Sequence, residues 1–122
     1  MGAFHVLNQN KDFRTLYYHG KSQAHPWLIT YVRRNRLGIT RVGITTSKKI
    51  GGAVQRSRSR RVIREAYRRL MAQVRDGVDI VFVARGRTAA CKSTQVAAVM
   101  QKQLQALGAI REAAPEDAGG AR

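Results

Sequence analysis

Acidic residues are what this chain has least of. Only seven Asp or Glu stand against 23 Lys or Arg in 122 residues, for a net charge of +16. Three of the seven, Glu112, Glu116 and Asp117, fall in the last eleven residues, so the chain up to Arg111 carries 22 basic and four acidic side chains. There is one cysteine, Cys91, which excludes an internal disulfide and a cysteine-based zinc site. It reads as a buried or semi-exposed thiol in a reducing compartment. No apolar run approaches the length of a membrane span or a signal segment, so the expectation is a cytoplasmic protein with no membrane association. Carboxylates are too few and too scattered for a metal-dependent nuclease centre. His5, His19 and His25 lack an obvious acid partner, so no catalytic residue and no protein-bound metal is expected.

The hydrophobic fraction, 43%, is normal, and the length suits one domain with a modest core. Excess positive charge repels itself and is best tolerated beside an anionic partner. Nucleic acid is the leading reading, ahead of an anionic membrane and of a merely basic soluble protein.

Along the chain the elements alternate. "NQNKDFRTLYYH", 8 to 19, reads as a helix with Phe13, Leu16 and Tyr17 on one face, Asn8 or Asn10 as its cap, and Gly20 as a left-handed stop. "WLITYVRR", 27 to 34, reads as a strand with Leu28, Thr30 and Val32 on one face and Trp27, Ile29 and Tyr31 on the other. "RNRLG" turns into a second strand, 40 to 47. A helix follows from about Ala53 to Val74, then an almost continuously apolar strand at 78 to 84, expected at the centre of a sheet. Ser93 is the expected cap of a last helix that ends near Leu107 at Gly108, with Val96, Val99, Met100, Leu104 and Leu107 inward. Residues 112 to 122 show no periodicity and read as a disordered tail behind a single domain, 1 to 111. The expected fold is an α/β (α+β) two-layer sandwich of order α-β-β-α-β-α.

The stretch "KKIGGAVQRSRSRRVIREAYRRL", 48 to 70, holds nine basic residues and one acid, Glu65. Stepping about 100° per residue places Val62, Ile63, Ala66, Tyr67, Leu70 and Val74 on one side of a helix. Arg60, Arg61, Arg64 and Arg68 form a stripe on the other, with Arg58 and Arg69 beyond it. Solvated faces usually mix signs, and this one does not. Guanidinium groups bind phosphate bidentately and stay charged, so the face suits a polyanion. Lys48 and Lys49 extend that surface; the surrounding "SKKIGG" lacks a nucleotide-binding Gly-Lys-Ser/Thr pattern. Phe13, Tyr17 and Tyr31, with Lys11 or Arg14 beside them, fit either a core cluster or a groove in which single-stranded bases stack.

The stretch "SKKIGGAVQRSRSRRVIREAYR" resembles the signature of the protein subunit of bacterial ribonuclease P. The pattern S-K-K-x-G-x-A-V, then R-N-R, then a basic pair and R-E/Q is matched at Ser47, Lys48, Lys49, Gly51, Ala53, Val54, Arg56, Arg58, Arg60, Arg61, Arg64 and Glu65. "DFRTLYYHGKS", "RVGITTSKK" and "DIVFVAR" keep the family's order, and the likeness spans about residues 5 to 107. Ser57 stands where the pattern has asparagine; it keeps a short polar group and lacks the amide. The resemblance implies a ribosomal-protein-like fold with a left-handed βαβ crossover. It also implies that a catalytic RNA carries the chemistry, with Mg2+ held by that RNA and its substrate, removing the 5′ leader of precursor tRNA. On that basis Lys48, Lys49, Arg56, Arg58, Arg60, Arg61, Arg64 and Arg68 would dock on the RNA subunit. Phe13, Arg14, Tyr17 and Tyr31 would hold the leader, and no obligate protein partner is implied. A ribosomal or general RNA-binding protein without turnover is the alternative that charge and fold class equally support.

Overall fold

The computed structural model describes residues 5 to 111. Their elements run β1 (His5–Val6), α1 (Asn10–His19), β2 (Lys21–His25), β3 (Leu28–Arg34), β4 (Arg41–Thr45), α2 (Ala53–Leu70), β5 (Val78–Ala84) and α3 (Ser93–Ala106). The five strands form one sheet in the order β1-β4-β5-β3-β2. The sequence-based α-β-β-α-β-α order is present, with two strands added. β1 pairs parallel to β4 over two residues, and β2 pairs antiparallel to β3 over five. The expected tail, 112 to 122, lies outside the described residues.

β5 sits at the centre, antiparallel to β3 and parallel to β4. A parallel pair needs a long crossover, and α2 supplies it between β4 and β5. Alternation divides the strand's residues between two cores. Ile80 and Phe82 join Leu28, Val32 and Val42 beneath α2 and α3, where Ile63, Ala66, Leu70, Met100 and Leu104 close the larger core. Val81 faces the other way and meets Leu7 and Leu16, with Phe13, Tyr31 and Val83 packed around them. Burial of a Leu, Ile or Phe side chain stabilises by roughly 1.5–3 kcal/mol, so the larger cluster dominates. α1 therefore covers one face of the sheet and α2 with α3 the other.

Several element ends differ from expectation. Gln9, not Asn8 or Asn10, occupies the N-cap of α1. Gly20 is extended, with φ −78° and ψ 162°, not left-handed. It is glycine for space, since a Cβ there would lie 2.6 Å from the Leu16 carbonyl oxygen and 3.1 Å from that of Val32. α2 stops at Leu70 and a 3-10 turn, Met71–Gln73, follows, because Val74 turns extended to bridge Ile110. Lys92, not Ser93, is the N-cap of α3, and the Gln95 Oε1 accepts its backbone N–H at 2.8 Å. Gly108 does end α3 in the left-handed region, at φ +76°.

Most polar side chains that the fold buries are paired across elements, the Ser59 Oγ on α2 being the exception among the described residues. Gln103 on α3 is buried; its Oε1 accepts the Thr30 hydroxyl at 2.6 Å. Its Nε2 donates to the carbonyls of Leu28, at 2.9 Å, and Gln23, at 3.2 Å. One side chain thus ties the β2–β3 hairpin to α3. Cys91 is half-buried, its thiol donating to the Arg87 carbonyl at 3.2 Å. Burial pushes the thiol pKa up, against the weaker pull of Arg87, so it stays protonated at neutral pH.

Candidate nucleic-acid interface

α2 owes its form to its two-sided pattern. Ser59, Ile63, Ala66, Tyr67 and Leu70 are buried against the sheet and α3. Val62 is half-buried at the margin of that face. Gly51, at φ +137°, and Gly52 bring the chain out of the 3-10 turn Lys48–Ile50 into the helix. A side chain at Gly51 would be strained there. Lys48 and Lys49 stand exposed on that turn, where the Ser47 Oγ accepts the Lys49 N–H at 3.3 Å.

The basic residues of α2 are not equivalent. Arg56 and Arg60 flank the buried face and are half-withdrawn. The Arg56 Nη1 donates to the Gly51 carbonyl at 3.2 Å, and the Arg60 Nη1 donates to the Thr46 Oγ1 at 2.8 Å. Arg58, Arg61, Arg64, Arg68 and Arg69 are exposed. Among the described residues the only ion pairs are those of Arg41 with Asp12 and Asp79, so no described carboxylate pairs with an arginine of α2. Arg60, Arg64 and Arg68, spaced four residues apart, form a ridge along one wall of an opening of about 460 Å³. Ser57 is exposed, and its Oγ accepts a long 3.5 Å contact from the Arg60 Nη2.

The aromatic residues lie on the opposite face of the sheet. α1 crosses the strands obliquely, so Phe13 meets β4 and Tyr17 meets β3. Tyr17 and Tyr31 pack edge to face, with ring centroids 5.0 Å apart and planes at 71°. Tyr17 remains 41% exposed, enough ring surface for a further stacking partner. Phe13 lies one turn back, half-buried, its ring against Gly43, and borders the arginine-walled opening rather than the tyrosine pair. Arg14 is exposed on α1. Of the four residues expected to form one aromatic cleft, the structure joins two directly.

A second basic group escaped the sequence reading. Arg33, Arg34 and Arg36, at the β3–β4 turn, line a depression of about 530 Å³ with Arg41 and Asp12. "VRRNR" carried the signal, but read as a turn it drew no charge argument. Two of the chain's few acids are used here for structure. Asp79 accepts from Arg41 and from the Asn35 Nδ2 at 2.8 Å, and Asp12 lies 3.5 Å from Arg41.

The comparisons with known proteins point one way. The family model for Ribonuclease P matches residues 1–108. The chain belongs to the ribonuclease P protein family. The ribonuclease P protein component of Clostridioides difficile (strain 630) is 48% identical over 80 residues, covering 65% of this chain and 70% of that one. That of Alkaliphilus oremlandii (strain OhILAs) is 37% identical over 113 residues, covering 93% and 99% of the two chains. The solved RNase P protein of Staphylococcus aureus superposes with a TM-score of 0.77 at 26% identity, over 89% of this chain and 100% of that one. The superposition shows that this chain shares the fold of that solved RNase P protein.

Proposed function

We propose that this chain works as the protein subunit of a cytoplasmic ribonuclease P, docking on a catalytic RNA and holding the 5′ leader of precursor tRNA. The observation that carries this is the division of labour across the sheet. Arginines unpaired with any described carboxylate line α2 on one face, and the half-exposed Tyr17–Tyr31 pair occupies the other. Phosphate contacts made by Lys48, Lys49 and the arginines Arg56, Arg58, Arg60, Arg61, Arg64 and Arg68 supply affinity and position for the RNA subunit. Tyr17 and Tyr31, with Arg14 nearby and Phe13 one turn away, supply faces on which unpaired leader bases stack.

The chemistry in this reading belongs to the RNA. Magnesium ions held by the RNA subunit and substrate would activate water and stabilise the leaving oxygen of one phosphodiester. The described carboxylates of this chain do not fit such ions. Asp79 is occupied by Arg41 and Asn35, Asp12 faces Arg41, and no cluster of three His, Cys, Asp or Glu converges among the described residues. The protein's share is to bind, orient and screen phosphate charge.

Reconstitution tests the reading. The protein alone is expected to leave precursor tRNA uncut, and to restore cleavage by a cognate RNA subunit at low magnesium. Cleavage by RNA-free protein would make it a nuclease in its own right. Binding without any effect on the RNA subunit would make it a general RNA-binding protein.

A further inference from the structure

β1 accompanies β4 only at His5–Arg41 and Val6–Val42, and the Leu7 N–H closes the pairing on the Val42 carbonyl at 2.9 Å. The chain then leaves for α1, and among the described residues no strand flanks β4 from Gly43 onward on the side away from β5. In a parallel ladder the N–H and C=O of one residue point the same way, and successive residues point to opposite neighbours. Val42 addresses β1, so Ile44 turns its main-chain donor and acceptor to the open edge. That edge adjoins the 460 Å³ opening, whose exposed apolar surface comes from Val6, Phe13 and Ile44 and whose wall is the ridge of Arg60, Arg64 and Arg68.

Neither half of this opening suits a simpler ligand. A phosphate alone has no use for an apolar floor, and an apolar peptide side chain would face three cations. A nucleotide has all three matching parts: a flat apolar ring, a hydrogen-bonding base edge and an anionic phosphate. The size falls within the ordinary range for small-molecule pockets, about 300–1,000 Å³. Arg60 is already held by Thr46, and guanidinium planes stack on rings as well as binding phosphate. We infer that this opening receives one unpaired base of the RNA on which α2 docks. The ring lies against Val6 and Ile44, its edge meets the Ile44 N–H and C=O, and its phosphate sits against Arg64 and Arg68. The inference rests on the RNA-docking reading and adds a base-binding site to it, separate from the Tyr17–Tyr31 face.

The test uses the full chain with labelled isoleucine and valine methyls and arginine Nε, titrated in parallel with AMP and with ribose 5-phosphate. AMP is expected to shift the methyls of Val6, Val42 and Ile44 by ring current and to bind about tenfold more tightly than ribose 5-phosphate, as one stacked base provides. Ribose 5-phosphate should move only the arginine signals. Ile44→Thr, or Val6→Ser at the exposed rim should Ile44→Thr lose its native spectrum, should narrow the gap between the two ligands while leaving ribose 5-phosphate binding alone. Equal affinities without methyl shifts overturn the base site and leave phosphate docking intact. Base-dependent shifts confined to Tyr17 and Tyr31 overturn it as well. Silence of the arginine signals with both ligands defeats the docking reading and this inference with it.

Discussion

Arg41 and Asp79 face each other across the parallel pair β4–β5 in a two-pronged ion pair, the Nε 2.9 Å from Oδ1 and the Nη2 2.6 Å from Oδ2. Asn35 donates to the same Oδ1 at 2.8 Å and also caps the β3–β4 turn by accepting the Leu37 N–H at 2.7 Å. The buried Asp79 thereby ties the central strand to its parallel neighbour β4 and to the β3–β4 loop. The hydrogen bond that Arg41 donates to Asp79 holds the Arg41 pKa above its ordinary value despite partial burial. Asp79→Asn keeps the shape but strands the cation. It should lower stability by about 2–3 kcal/mol, toward the low end for a broken buried pair because Arg41 still reaches water. Urea unfolding measures this, and faster amide exchange at Leu37 should accompany it; an unmoved midpoint would show the pair to be idle.

Gly43 makes the second prediction. A Cβ there would lie 2.7 Å from the Phe13 Cε1 and 2.8 Å from the Leu7 carbonyl oxygen. The ring can swing away, but the carbonyl is held by the chain joining β1 to α1. Gly43→Ala should therefore cost roughly 1–3 kcal/mol as an overpacking change. Thermal denaturation would show it, and a variant as stable as the parent would mean that the β1–α1 connection yields freely.

The legible parts of the fold are those that one element decides by itself. The two faces of α2 follow from its own 3.6-residue period, and the central place of β5 from its apolar run, Ile80 to Ala84. β2 was illegible because "KSQAH" has no apolar alternation; it is a strand by virtue of β3 beside it and Gln103 behind it. Gly20 misled because a glycine after a helix suggests a left-handed stop, whereas close approach of two carbonyls is what requires it. For the site, the arginine stripe was visible, but the withdrawal of Arg56 and Arg60 depends on Gly51 and Thr46, which no periodicity reveals. Helical spacing put Phe13 and Tyr17 on one face; the oblique crossing of α1 over the strands then sent them to different neighbours.

Tyr31 offers a test of the leader face that spares the arginine side. Its ring holds Tyr17 edge-on, so Tyr31→Ala removes one stacking surface and the support of another. Affinity for precursor tRNA with a leader should fall roughly fivefold to a hundredfold, as loss of one base–aromatic contact implies, with mature tRNA unaffected. Filter binding of the two substrates by the reconstituted particle decides it, and equal losses for both would place the leader elsewhere.

Arg64 is exposed and free of any ion pair among the described residues. If it meets phosphate, Arg64→Ala should weaken binding to the RNA subunit and reduce the salt dependence by about one counterion. The slope of log affinity against log salt is the measurement. A weaker complex with an unchanged slope would mean that Arg64 acts through packing rather than charge.

Tyr67 predicts how the protein fails in alkali. Its ring is 2% exposed and packs 5.6 Å from that of Phe82, and burial pushes the phenol from 10.0 up to about 12. Below pH 10 the group is neutral in both folded and unfolded chains and adds no pH dependence. Between about pH 10 and 12 the unfolded chain releases this proton while the folded one keeps it. The unfolded state then binds fewer protons, so stability must fall as pH rises. Two units correspond to a loss of about 2–3 kcal/mol once pH passes the folded value. Tyr67→Phe keeps every other titratable group and so isolates this proton. The stability difference between the parent and Tyr67→Phe should stay flat from pH 8 to 10 and then move steadily in favour of the variant. Urea unfolding of both proteins at half-unit steps would show it, and parallel curves through pH 11.5 would remove Tyr67 as the cause.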